Sequence, residues 1–151
     1  MPTPTWPPHM ALPTQPLEMS RADEAGAVAT VTYFLAVYPY TEATQDTRAW
    51  EEMSHRDCVF CKSVVDDVTQ RRAANQVVVP APILVRNRET TTINPMAYSI
   101  AASVSTGPDV LRSADGSVLD AGRIRTGTMT IVVLLQGDRW IVRGVQLDPD
   151  E

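Results

Sequence analysis

Thiols and lysines are nearly absent: Cys58, Cys61 and Lys62 are the only residues of their kinds in a chain of 151. Two cysteines cannot staple a disulfide-dense mini-domain, and they supply half of a zinc site at most. The other half would have to come from His9 and His55, the only histidines, and His9 sits in a Pro-rich stretch. No run of about 18 apolar residues is present, so no transmembrane helix is written into the chain. There is no phosphate-cradling glycine loop, no nucleophile elbow and no run of acidic metal ligands. A basic surface is missing too: the formal charge is −5, from 13 basic and 18 acidic residues. It divides as −4 over residues 1–75 (six basic, ten acidic) and −1 over 76–151 (seven basic, eight acidic), which argues against nucleic-acid binding.

What is present suffices for one domain with its own core, since a chain of this size buries roughly 68–70% of its unfolded surface. Six of the twelve prolines fall within the first 16 residues, and such a segment favours extended conformations over a core. The opening has neither the charged nor the apolar region of an export signal. Residues 1–18 therefore read as a disordered Pro-rich segment, either a native tail or a tether left when an upstream signal or anchor was removed. Twelve of the thirteen basic residues are Arg, which points to a GC-rich genome.

Order is expected from residue 19 to 147, with a frayed tail at 148–151. Ser20 is the expected cap of a first helix whose apolar stripe, Ala25, Val28, Ala29, Val31, Thr32, Leu35 and Tyr38, ends around Pro39. A short second helix follows Thr47 through Trp50 and Met53. Asp57 caps a third, from Cys58 to about Ala74, with Asn75 as a left-handed stop. After Gln76 the chain turns rich in Val, Ile and Thr. Met96, Tyr98, Ile100, Ala102 and Val104 alternate with smaller residues, predicting a strand with one buried face. Ile83–Ile93 reads as another strand, entered through Pro80 and Pro82. Short strands flank the turn at Asp115-Gly116, and two longer ones, Arg123–Leu135 and Arg139–Val145, close the chain. Helices first and strands afterwards, with connections too short for crossovers, predict an α+β domain: three helices on a curved, largely antiparallel sheet of four to six strands.

Cys58-Val-Phe-Cys61 is the motif with most chemistry in it. At the start of a helix it can close a local disulfide, run thiol redox chemistry, supply part of a metal site or stay free. Both sulfurs share the side of Val64, Val65 and Val68, which favours the disulfide Cys58–Cys61; a thioredoxin-like motif would follow a strand instead. Lys62, Asp66, Asp67, Arg71 and Arg72 form the opposite, solvated side, with Asp67 and Arg71 in favourable order. A Cys–His pair with His55 is conceivable, but a turn histidine needs no such role. Glu51, Glu52, Asp57 and Asp66 are the carboxylates that could converge in three dimensions. Tyr33, Tyr38, Met96, Tyr98 and Ile100 are the candidate lining of a ligand pocket. No catalytic residue, metal or cofactor is assigned.

The run Tyr38-Pro-Tyr-Thr-Glu-Ala-Thr-Gln-Asp-Thr47, then Trp50 to Ser54 and Asp57-Cys-Val-Phe-Cys61, resembles a domain-of-unknown-function family of actinobacterial lipoproteins. In that family a Tyr-containing helix end precedes a Gly-Asp-Thr-type cap, a short helix and Asp-Cys-x-x-Cys; Gln45 stands here where glycine is commoner. Gly137-Asp-Arg-Trp-Ile-Val142 is similar to the final hairpin of NTF2-like domains. The resemblance implies an NTF2-like (cystatin-like) cone, a tether joining the domain to a lipidated cysteine absent from this chain, and an extracytoplasmic, membrane-anchored location.

The function expected is therefore a non-catalytic cell-envelope domain that binds a protein partner or a small apolar ligand in the cone. Its membrane contact would run through the lipid anchor alone, and the sheet offers a surface for a homodimer. An NTF2-like isomerase or dehydratase working by acid–base catalysis is the alternative, and a CxxC thiol-disulfide oxidoreductase the third.

Overall fold

In the computed structural model, which describes residues 10–150, the first long helix starts at an acidic cap. Helix α1 runs Glu24–Thr44, and Oδ1 of Asp23 accepts the Gly26 N–H at 3.2 Å. The carboxylate satisfies a free amide of the first turn and faces the positive end of the helix dipole. Ser20 is not this cap. It ends a 3-10 turn, Leu17–Ser20, and donates its hydroxyl to the Leu17 carbonyl. Order thus reaches into the segment expected to be tether, and Met19 packs on the core. The first nine residues of that segment lie outside the described ones.

Pro39 does not end α1 either; the helix stops at Gln45, which adopts a left-handed φ of 62°. A proline in a helix interior removes one donor and crowds the preceding turn. Twelve of the 21 residues of α1 are buried, so tertiary packing outweighs that loss. Gly26 is required by close approach: a Cβ there would lie 1.9 Å from the Arg21 carbonyl oxygen and 2.7 Å from Trp140 Nε1. Those two groups are joined across it by a 2.7 Å hydrogen bond from the indole to the carbonyl.

Helix α2, Arg48–Glu52, is too short to stand alone and is held by Trp50, whose ring stacks on Phe34 with centroids 4.2 Å apart. Helix α3 spans Val59–Ala73, and its N-cap is Cys58 rather than Asp57, the sulfur accepting the Cys61 N–H at 3.2 Å. Cys58 and Cys61 are disulfide-bonded and buried beside Val64 and Val68. Asn75 supplies the left-handed stop at φ 57°.

Among the described residues seven strands form two antiparallel sheets, the larger with four strands, within the range expected for the sheet, and the smaller with three. β1 (Gln76–Val79), β4 (Val110–Ser113) and β5 (Val118–Ala121) make the smaller, in the order β1-β4-β5. β1 escapes sequence reading because it is four residues long and stops at Pro80; its partner is the distant β4. β2 (Leu84–Asn94), β3 (Ala97–Thr106), β6 (Arg125–Gln136) and β7 (Arg139–Pro149) make the larger sheet in the order β2-β3-β6-β7. The period of two in β3 sends Tyr98, Ile100, Ala102 and Val104 into the core. They meet Met129, Ile131 and Val133 of β6 and Trp140 and Val142 of β7. Met96 precedes this strand and is 55% exposed. β7 runs on to Pro149, so Asp148 is a paired strand residue opposite Thr128 and not part of a frayed tail. The next residue, Asp150, still donates its N–H to the Thr126 carbonyl at 3.0 Å.

α1 lies across β3, β6 and β7, and α3 packs against β1 and β7. The result is the expected α+β arrangement, helices against antiparallel strands. Among the described residues no helix is long and apolar enough to cross a membrane.

Candidate ligand cavity

A cavity of about 300 Å³ opens where β3 ends, β6 begins and β7 ends. Helix α1 contributes Phe34, Leu35 and Tyr38 to its wall, and the first turn of α3 contributes Phe60. Val104 and Met129 supply the sheet side, while Asp109, Arg125, Leu147 and Asp148 stand at or near the mouth. The lining is mostly apolar with few polar groups, the usual make-up of a small-molecule site. The extension of β7 past Val145 builds part of this wall through Leu147, Asp148 and Pro149, beyond the limit read from the sequence.

At its helical side the wall backs onto a charged cluster. Glu42, one turn beyond Tyr38 on α1, is almost fully buried and paired with Arg71 of α3. Burial raises the Glu42 carboxyl above the ordinary range, and Arg71 and the Tyr38 hydroxyl pull it partly back. The Tyr38 hydroxyl is itself pushed up, first by burial and then by the neighbouring Glu42 charge. Asp109 is fixed by its backbone environment: its Oδ1 accepts the Ala81 N–H at 2.9 Å.

Of the five residues expected to line a pocket, Tyr38 alone is in this wall. Tyr33 and Ile100 are core residues, Tyr98 packs on Trp140 with ring centroids 5.6 Å apart, and Met96 is exposed on the turn before β3. Glu51, Glu52, Asp57 and Asp66 do not converge; all four are exposed. His55 is not an exposed turn histidine. Its side chain is 15% exposed, and its Nδ1 accepts the Asp57 N–H at 3.0 Å while Ser54 bridges to Val142. The thiols it might have activated are in the disulfide. Among the described residues no three His, Cys, Asp or Glu side chains group as metal ligands.

Glu42, Arg71 and Asp109 were missed. Glu42 carries a usable signal, a carboxylate four residues after Tyr38 on one helical face, once α1 is allowed to continue through Pro39. Arg71 reads as solvated from its neighbours on α3, because its true partner lies on another helix. Asp109 carries no local signal, being placed by pairing between distant strands.

The chain belongs to a family of unknown function, DUF6318, which residues 8–146 match. No curated protein matches it in sequence. Among solved structures it is similar to the intermembrane space region of the chloroplast protein ARC6, with a TM-score of 0.64 at 14% identity over 86% of this chain and 99% of that one. A protein from Novosphingobium aromaticivorans provisionally named scytalone dehydratase gives 0.58 at 9% identity, over 83% and 85%. A protein of unknown function with a cystatin-like fold from Nostoc punctiforme gives 0.55 at 8% identity, over 85% and 94%. At these identities the likeness is one of fold. An NTF2-like (cystatin-like) fold and a family of unknown function are both what the resemblance implied.

Proposed function

We propose that this is a non-catalytic binding domain that takes a small, mainly apolar molecule into the cavity beside Tyr38. The observation that carries the reading is the cavity itself: about 300 Å³, walled by Phe34, Leu35, Tyr38, Phe60, Val104 and Met129. We further propose that the domain works outside the cell membrane, tethered by a lipid anchor. The buried disulfide suits an oxidising compartment, and the Pro-rich start suits a tether.

Amide NMR titration with small aromatic fragments tests the binding reading. Shifts should centre on Val104, Thr106 and Met129, and Leu147→Trp, a change at a half-exposed mouth residue, should suppress them. Fragments that shift no cavity amide would overturn it. Labelling the full gene product with a lipid analogue in its native cell tests the anchor; an unlabelled product would remove it.

Acid–base catalysis is the second reading, favoured by the titratable Tyr38 and Asp109 on the cavity wall. It requires turnover that Tyr38→Phe reduces by orders of magnitude. A thiol-disulfide oxidoreductase is disfavoured by access, since Cys58 and Cys61 are each 1% exposed.

A further inference from the structure

Resting on the reading of the cavity as a ligand site, we infer that its occupant is an amine: a protonated nitrogen carried on an apolar body and seated among aromatic rings and carboxylates. The wall sets the polarity of the occupant. Tyr38 lines the void, and its hydroxyl stands near the buried Glu42 carboxyl, whose charge is already matched by Arg71. Asp109 has one carboxylate oxygen engaged with the Ala81 N–H and forms no ion pair with a described residue, so its second oxygen is available as an acceptor. Asp148 adds another carboxylate at the mouth.

Two guanidinium groups lie near enough to matter. Arg71 is spent on Glu42, and Arg125 is exposed at the rim, where water screens it. Asp148 is exposed at the rim as well and is screened in the same way, so the half-buried Asp109 is the charge that the lining holds away from bulk water. An anionic ligand would meet like charge at Asp109, whereas a hydrogen-bond donor bearing positive charge would meet its free carboxylate oxygen. The rings agree with this choice: Phe34, Tyr38 and Phe60 all line the void, with the Tyr38 and Phe60 centroids 6.3 Å apart. Aromatic faces attract organic cations, more strongly where water is excluded.

Titration calorimetry with phenylbutylamine, phenylbutanol and phenylbutyrate at neutral pH separates the outcomes, because the three share one carbon skeleton. The amine is expected to bind about tenfold more tightly than the alcohol, with the carboxylate weakest. Asp109→Asn, which keeps the acceptor for Ala81, should bring the amine down to the level of the alcohol. Should that variant fail to fold, the wild-type series decides alone. Equal binding of all three, or tighter binding of the alcohol or carboxylate, overturns the amine inference and leaves the cavity a ligand site. Binding of none overturns the ligand site and the amine inference together.

Discussion

The indole N–H of Trp50 donates to the carbonyl of Cys61 at 3.0 Å, tying the short α2 to the disulfide-bearing first turn of α3. The bond is buried, and the same ring stacks on Phe34 of α1, so one side chain joins all three helices. Trp50→Phe keeps an aromatic body but loses the donor and some volume. It should cost about 2–3 kcal/mol, measured by urea unfolding; a change within about 0.5 kcal/mol would mean that the three helices hold without it.

The Cys58–Cys61 bond closes a very short loop, for which loop-closure entropy gives only about 2 kcal/mol. The Cys58 sulfur also caps α3 through the Cys61 N–H, so Cys58→Ala should cost slightly more than Cys61→Ala. In the folded, unreduced protein neither cysteine should take up an alkylating reagent, and intact mass should be lower by two hydrogens. Alkylation of both thiols without unfolding would contradict the bonded state.

Arg71 is the counter-charge of a buried carboxylate. Because burial raises the folded-state pKa of Glu42, the folded protein holds that proton more tightly than the unfolded chain does. Stability from this group is then fully present below the ordinary carboxylate range and declines as pH rises through its raised value. Arg71 limits the decline. Arg71→Ala should therefore cost about 2–3 kcal/mol at neutral pH, and the deficit should shrink as pH falls through the raised Glu42 value and be least below about pH 4, where Glu42 is largely neutral in both states. Unfolding of both proteins across this range measures it; a pH-independent deficit would place the cost in packing.

Asp115 behaves in the opposite sense. In the turn between β4 and β5 it accepts from the Ser113 hydroxyl and from the Ser117 N–H at 2.8 Å, which lowers its pKa to about 2. The contribution of this turn is present above the ordinary aspartate range and is lost as pH falls towards about 2. Carboxyl-carbon NMR should give a midpoint there, and Ser113→Ala should move it towards about 3.9. An unmoved midpoint would show that the Ser113 hydroxyl does not hold the charge.

The helical half was the more legible, because its signals are local. The Val64 and Val68 stripe places Cys58 and Cys61 inward, and Asn75 stops α3, as spacing and residue type indicate. Where α1 ends was not legible. Pro39 disfavours a helix by its own chemistry, and only the burial of the residues on either side overrides it. The same override carries Glu42 under Arg71. In the sheet, alternation read β3 correctly from Tyr98 to Val104, while Met96 kept the period and fell outside the strand. β1 and the last residues of β7 depend on partners far along the chain, which no local window contains.

By itself, then, the sequence determined what nearest neighbours decide: the class of fold, the run of three helices ahead of the long strands, the inward turn of the two cysteines and the lack of a basic surface. Tertiary structure alone decided the cavity. Phe34, Phe60, Asp109 and Leu147 meet there because a helix, a helix start, a loop and a strand end converge in space. Charge, burial and hydrogen bonding at that meeting are properties of the convergence, and no separate segment of the chain carries them.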